Sequence, residues 1–327
     1  MTSPATEASV RVDVLRSGRA ELYDATARGL RASPKELPTL WLYDERGSRL
    51  YEEITALPEY YLSRREAEIL RARAASIAER TRAQTLVELG AGSARNTRSL
   101  LDALQAAGTL ERFFPFDVSE QALRESARAI AAAYPGIAVH AVVGDFERDL
   151  GALPQDGERL VAFLGSTIGN LEPVRRGRFL EAVASFLGDG GALLLGLDLV
   201  KDGARLEAAY ADRGGVTEAF VRNSLDAVNL KLGAGFDQGR FAYEARWDTE
   251  REWMDIGFRA RTDHTVSLPR LELDVPFAAG EQLRVEISAK FRRGAFEAEA
   301  ARAGLRLDAW WTDPASDFAV ALLTPND

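Results

Sequence analysis

The chain has 327 residues, enough for one large or two ordinary domains, and its 46% hydrophobic and 28% charged content is that of a globular protein. Fifty acidic against 41 basic residues give a net charge of −9, which weighs against a polyanionic partner such as nucleic acid. Cysteine is absent, which excludes disulfides and thiolate chemistry, and the two histidines, His140 and His264, lie in different segments, so neither a histidine zinc site nor any other metal is expected.

Residues 1–19 read as loosely held. A helix is expected over Ala20–Leu30, ending near Ser33–Pro34. The segment 37–61 is aromatic-rich, with Trp41, Tyr43, Tyr51, Tyr60 and Tyr61. A helix over Ser63–Arg80 follows, where Ser63 and Glu66 have the spacing of a capping box and Ile69, Leu70 and Ile77 form one apolar face.

From Thr85 to Val200 strands alternate with helices. A short apolar run ending at Glu88 leads into the turn Gly90–Ala91–Gly92 and a helix over Asn96–Ala106. Strand, glycine turn and helix in this order let a backbone approach a nucleotide-like ligand. A Gly-x-Gly alone also fits an ordinary turn. The next run, Phe113–Phe116, ends at Asp117, 27 residues beyond Gly90, close to the roughly 20 expected for a ribose-binding carboxylate. A helix over Glu120–Ala133 leads to the strand Ala138–Val143, which ends in Gly144–Asp145–Phe146, and the strand Leu160–Leu164 ends in the sequence GSTIGN at 165–170. Asp145 can take an exocyclic amine while Phe146, through its ring or its amide, meets a base. The helix Pro173–Leu187 carries Pro173 where a missing N–H costs nothing, and the nearly continuous apolar strand Ala192–Leu199 suits the centre of a sheet covered on both faces. Polar or glycine residues thus recur at the carboxyl ends of a parallel, doubly wound sheet, where such sheets bind ligands. The arginine pairs Arg64–Arg65 and Arg175–Arg176 read as solvated helix faces.

After Lys201 the rhythm changes. Helices are expected near Ala204–Ala211 and Val216–Leu232, then strands over Arg240–Trp247, Glu252–Arg261 and Thr265–Val275. This stretch, with part of the N-terminal 60 residues, reads as an inserted α+β domain. The segments 304–311 and 318–323 read as a closing antiparallel hairpin. No run of about 18 apolar residues exists and the N-terminus lacks the apolar centre of a secretory signal, so a cytoplasmic protein without a membrane span is expected.

Glu88, Gly90, Gly92, Asp117 and Asp145, in this order, resemble the S-adenosylmethionine site of a class I methyltransferase. The third glycine of the dinucleotide fingerprint is replaced by Arg95, which separates the chain from nicotinamide dehydrogenases. Five longer segments make the resemblance specific: 41–70, FLGSTIGN at 163–170, LGLDLVKD at 195–202, VEISAKFR at 285–292 and WWTDPASDFAVAL at 310–322. Together they resemble the histidine-specific N-methyltransferases of ergothioneine biosynthesis, over nearly the whole chain from about residue 20.

The resemblance implies a class I Rossmann-like sheet with an antiparallel C-terminal strand, formed by 62–200 and 286–327, and a substrate-binding domain formed by 20–61 and 201–285. It implies S-adenosylmethionine as methyl donor, bound by Gly90, Asn96, Asp117, Asp145 and Phe146; Asn96 stands where the family often has lysine. It implies L-histidine as substrate, held by Tyr60, Asn170, Tyr210, Glu286 and Ser288, with Tyr43 at the reacting amine and Ile256 where the family often has a methionine against the ring. Asn170 and Tyr210 can donate to an α-carboxylate. Glu286 and Ser288, at i and i+2, share a strand face and can hold the two imidazole nitrogens. The implied reaction is trimethylation of the α-amine to histidine betaine, without a metal; with no long apolar stripe or heptad and a net negative charge, a monomer without a nucleic-acid partner is expected. A tryptophan-type N-methyltransferase and a silent S-adenosylmethionine-binding protein are the alternatives.

Overall fold

The computed structural model describes residues 10–15 and 18–326. The chain begins with β1 (Val10–Val14), α1 (Arg19–Arg31) and the short β2 (Lys35–Glu36), followed by α2 (Glu45–Ala56) and α3 (Leu62–Thr81). Five βα or β units follow: β3 (Thr85–Leu89), α4 (Arg98–Ala106), β4 (Arg112–Asp117), α5 (Glu120–Ala133), β5 (Ala138–Val143), β6 (Arg159–Phe163), α6 (Pro173–Leu187) and β7 (Ala192–Asp198). Then come α7 (Gly203–Tyr210), α8 (Val216–Leu232), β8 (Phe241–Asp248), β9 (Trp253–Ala260), β10 (His264–Leu268), β11 (Leu273–Phe277) and β12 (Gln282–Ala289). The chain closes with α9 (Arg293–Arg302), β13 (Leu305–Thr312) and β14 (Phe318–Pro325).

The main sheet runs β1-β5-β4-β3-β6-β7-β14-β13, parallel from β1 to β7, with β14 antiparallel to both β7 and β13. The strand order reverses beside β3, so the carboxyl ends of β3, β4, β5 and β6 open onto one crevice. Alternate side chains feed two apolar layers. Leu86, Phe113, Leu160 and Leu194 pack with Ile69, Leu100 and Ile130 of α3, α4 and α5. Val87, Phe114, Val161 and Leu193 pack with Phe179 and Val183 of α6 and with Phe296 of α9. A period of two between two covered faces is why these strands read as unbroken apolar runs. This is the class I methyltransferase sheet with its reversed terminal strand.

A second sheet, β2-β12-β9-β8, and the hairpin β10-β11 stand beside it. They join the first apolar layer through Met254, Ile256, Phe258 and Leu283. The boundary expected at 285/286 falls inside β12, where the pairing with β9 shifts register between Arg284 and Glu286.

Three expectations are corrected and one element is added. Val10–Val14 is an ordered edge strand, pairing in parallel with β5, rather than loosely held; residues 1–9, 16 and 17 lie outside the described residues. The stretch 265–275 is not one strand: β10 and β11 form a hairpin around the turn Pro269–Leu271, with Glu272 in the left-handed region. The aromatic segment contains α2, whose N-cap Asp44 accepts from the Gly47 amide. Arg176 is not solvated. It is buried, forks onto Glu299 at 2.8 and 3.0 Å and lies over the Phe291 ring.

Candidate active site at the strand ends

At the end of β3 the chain reverses through Gly90 (φ +69°) and Gly92 (φ +46°). A Cβ on either would meet nothing within 4 Å, so the turn presents bare backbone to open space. Asp117, the last residue of β4, closes this turn: its Oδ2 accepts from the Gly92 amide and its Oδ1 from the Ser119 amide, both at 2.9 Å. Burial raises its pKa, and the backbone donors oppose that rise. Each oxygen keeps a second lone pair for a ligand. Asp145 accepts from the Glu147 amide at 3.0 Å and pairs with Arg148 at 3.2 Å. The Phe146 ring turns into the layer behind the sheet, edge-on to Phe163 at 4.9 Å and Phe179 at 5.7 Å, which fixes its backbone at the mouth of the crevice.

Gly90, Asn96, Asp117, Asp145 and Phe146 all line one cleft of about 1190 Å3. Glu66 and Glu88 line it too. No capping box forms at Ser63: α3 begins at Leu62 behind Tyr61, without a side-chain cap, and Glu66 turns inward. One Glu66 oxygen accepts from the Gly165 amide at 2.7 Å and the other from Asn96 Nδ2 at 2.8 Å, tying the end of β6 to the turn after β3. Glu88 Oε1 bonds the Thr97 hydroxyl, while Oε2 is buried with no partner in the protein. Burial pushes Glu66 up to about 7 and Glu88 up to about 8. A cleft walled by carboxyl groups, one with an open acceptor, suits a ligand carrying positive charge.

Behind the cleft lies a pocket of about 40 Å3, lined by Tyr60, Tyr210, Ile256 and Ser288 among others. Tyr43, Asn170 and Glu286 line both spaces and so stand where the two meet. Consecutive left-handed residues, Gly165 (φ +72°) and Ser166 (φ +61°), lead into the turn Thr167–Asn170 that aims Asn170 at the pocket. Asn170 Nδ2 donates to Glu286 Oε1 at 2.8 Å. Burial pushes Glu286 up to about 7, with the Lys290 ammonium pulling the other way. Tyr43 packs edge-on to Tyr51 at 6.1 Å and Phe220 at 5.7 Å. Burial and the nearby Glu286 hold its pKa well above the usual phenol range. Tyr60 and Tyr210 meet edge-on at 6.3 Å. Every residue expected at the site therefore lines the cleft, the pocket or both.

The sequence model of the histidine-specific, SAM-dependent methyltransferases matches residues 22–325. The chain belongs to this family. It is 53% identical over 294 residues to the histidine N-alpha-methyltransferase of Mycolicibacterium smegmatis, covering 90% of this chain and 92% of that one. The histidine N-alpha-methyltransferase of Mycobacterium tuberculosis is 51% identical over the same shares. Ergothioneine biosynthesis protein 1 of Neurospora crassa is 31% identical over 286 residues, which are 85% of this chain and 32% of that longer protein.

Three charged groups in this histidine-specific methyltransferase escaped the sequence reading. Glu66 was assigned to a helix cap. Asp198, at the end of β7, and Lys290, just past β12, are buried beneath the pocket and pair at 2.8 Å. Lys290 had a signal: Glu286, Ser288 and Lys290 are spaced i, i+2, i+4, so the strand face that carries the first two carries the third.

Proposed function

We propose that the protein transfers methyl groups from S-adenosylmethionine to the α-nitrogen of L-histidine, three in succession, giving histidine betaine (hercynine) at the first step of ergothioneine biosynthesis. The observation that carries this reading is the shared wall of Tyr43, Asn170 and Glu286 between a carboxyl-walled cleft and a polar inner pocket. It lets one ligand in each space meet end to end.

The cleft fits the donor: the glycine turn offers bare backbone, Asp117 has spare lone pairs for ribose hydroxyls, and Glu88 Oε2 is an unanswered acceptor for a cationic group. Bound there, S-adenosylmethionine supplies an already activated methyl group. The chain's own residues then align and desolvate the amine. Glu286 takes a ring N–H. Asn170, with one amide proton on Glu286, has a second for the carboxylate and an oxygen for the amine. The pocket holds only a few waters' volume, so the amino acid backbone reaches into the cleft, toward the donor. Tyr43 stays a neutral phenol at neutral pH; it orients the amine and is no base for it. The proton lost before each transfer leaves along the open cleft to water. Residues 62–200 and 286–327 form the donor-binding domain but lend Asn170, Glu286 and Ser288 to the substrate, and 20–61 with 201–285 complete the substrate domain, in a cytoplasmic monomer; the exposed large apolar residues Val14, Leu40, Val174 and Leu230 are spread along the chain.

Incubation with methyl-labelled S-adenosylmethionine and each amino acid separately tests this. Mono-, di- and trimethylated product is expected from L-histidine and none from tryptophan. Label appearing on tryptophan, or no label on histidine, would overturn it.

A further inference from the structure

The Lys290 side chain has no exposed surface, yet it ends 2.8 Å from each of three oxygens: Asp198 Oδ2, Tyr210 Oη and Ser288 Oγ. An ammonium has three N–H donors, so all three are spent and none is left for a ligand. Tyr210 Oη and Ser288 Oγ are themselves 2.8 Å apart. Each hydroxyl owns one proton and two lone pairs, and Lys290 occupies a lone pair on each. One of the two protons bridges the pair; the other faces the pocket. The distance alone allows either hydroxyl to donate; the phenol is the more acidic and the serine oxygen the better acceptor, which assigns the bridge to Tyr210. Ser288 then has both lone pairs filled and can only donate.

We propose that Lys290 is a specificity-determining positioning residue that turns Ser288 into an obligate donor, so that the pocket selects a neutral imidazole with its bare nitrogen on Ser288 and its N–H on Glu286. This rests on the assignment of the pocket to the histidine ring. It refines the expected role of Tyr210: with its proton on Ser288, the phenol leaves the α-carboxylate to other donors such as Asn170.

Charge works in the same direction. Lys290, Asp198 and Lys201 form a buried cluster, with Lys201 2.5 Å from Asp198, that carries one net positive charge just behind Ser288. An imidazolium on Ser288 would face that charge at low dielectric; a neutral ring does not. Glu286 itself lies across the ring, and the Lys290 charge favours its carboxylate form; Asp317, which also acts on Lys201, is paired with Arg65 and Arg205, and burial keeps Tyr43, Tyr51, Tyr210 and Tyr243 as neutral phenols. Burial disfavours the charge on Lys290, but Asp198 and the Tyr210 hydroxyl outweigh it and the ammonium persists.

The test compares L-histidine with 2-fluorohistidine, whose ring stays neutral through the acidic range, by kcat/KM against pH. In the wild type both profiles fall as Glu286 is protonated, but histidine falls more steeply because ring protonation also removes substrate. Parallel profiles in the wild type would overturn the proposal. Lys290→Met, and Lys290→Met with Asp198→Asn to avoid stranding a buried carboxylate, should raise KM for histidine about tenfold or more, with kcat and S-adenosylmethionine affinity little changed. In these variants the extra steepness should disappear. Unchanged KM and steepness in a folded variant would also overturn it. Failure of the wild type to methylate histidine at all would instead refute the assignment of the pocket itself.

Discussion

The two halves of the site are built from different materials. The donor cleft is made by backbone: amides of Gly92, Ser119 and Gly165 hold Asp117 and Glu66, and glycines leave room for a ligand. The substrate pocket is made by side chains from widely separated elements. Tyr60 precedes α3, Asn170 follows β6, Tyr210 ends α7, and Glu286 and Ser288 lie on β12. A backbone-built site tolerates side-chain change away from its few anchors. A side-chain network with buried charges does not, because removing one partner strands another.

The largest expected effect follows from that asymmetry. Glu286→Ala leaves a ring N–H and the Asn170 amide without their acceptor, at a cost to histidine binding of about 2–4 kcal/mol, or roughly 30- to 1000-fold. Calorimetry with and without the donor product should show cofactor affinity intact. Asp117→Ala should act on the other half, weakening S-adenosylmethionine by about 1.5–3 kcal/mol through lost ribose acceptors and a loosened glycine turn. If either variant weakened both ligands equally, the division into two independently built halves would fail.

Protonation sharpens the contrast further. Glu66 and Glu88 are pushed up to about 7 and about 8 by burial. The folded, ligand-free protein thus keeps protons that the unfolded chain loses above an ordinary carboxyl pKa of about 4.3, and stability should fall as pH rises from there toward 8. Glu88→Gln removes the upper part of that fall. A thermal-melting series should decline toward pH 8 for the wild type and level off above about 7 for the variant, in which Glu66 and Glu286 still titrate. Cofactor binding near neutral pH should release protons, seen as a buffer-dependent binding enthalpy; no such dependence would show that Glu88 is already ionised.

The same difference in construction decides what the sequence discloses. Gly90, Asp117 and Asp145 stand at strand ends within one βαβ rhythm, so local pattern is enough to place them around one ligand. Nothing local joins Tyr60 to Tyr210 or Glu286; the resemblance to a family brought them together on paper, and in space the Tyr60–Tyr210 ring contact and the hydrogen bond from Tyr210 to Ser288 on β12 do so. Glu66 was misread because a capping box and an inward-facing carboxylate share one spacing, and only the crevice at the end of β6 draws the side chain inward. Edge strand β1 was missed because its pairing partner, β5, lies more than a hundred residues away. Asp198 and Lys290 look ordinary until the fold buries them together.

The smallest expected effect comes from Ile256, which is fully buried, lines the pocket and pairs across the strands with Glu286. Ile256→Met keeps volume and polarity and exchanges a branched for a flexible side chain, so stability should change by less than about 1.5 kcal/mol. If polar pairing by Glu286 and Ser288 governs choice of substrate, KM for histidine should move only a few-fold and tryptophan should still be refused, because an indole leaves the Ser288 proton without an acceptor. If instead Ile256→Met admits tryptophan, pocket shape is the discriminator. The substrate half would then owe its selectivity to packing rather than to its buried polar network.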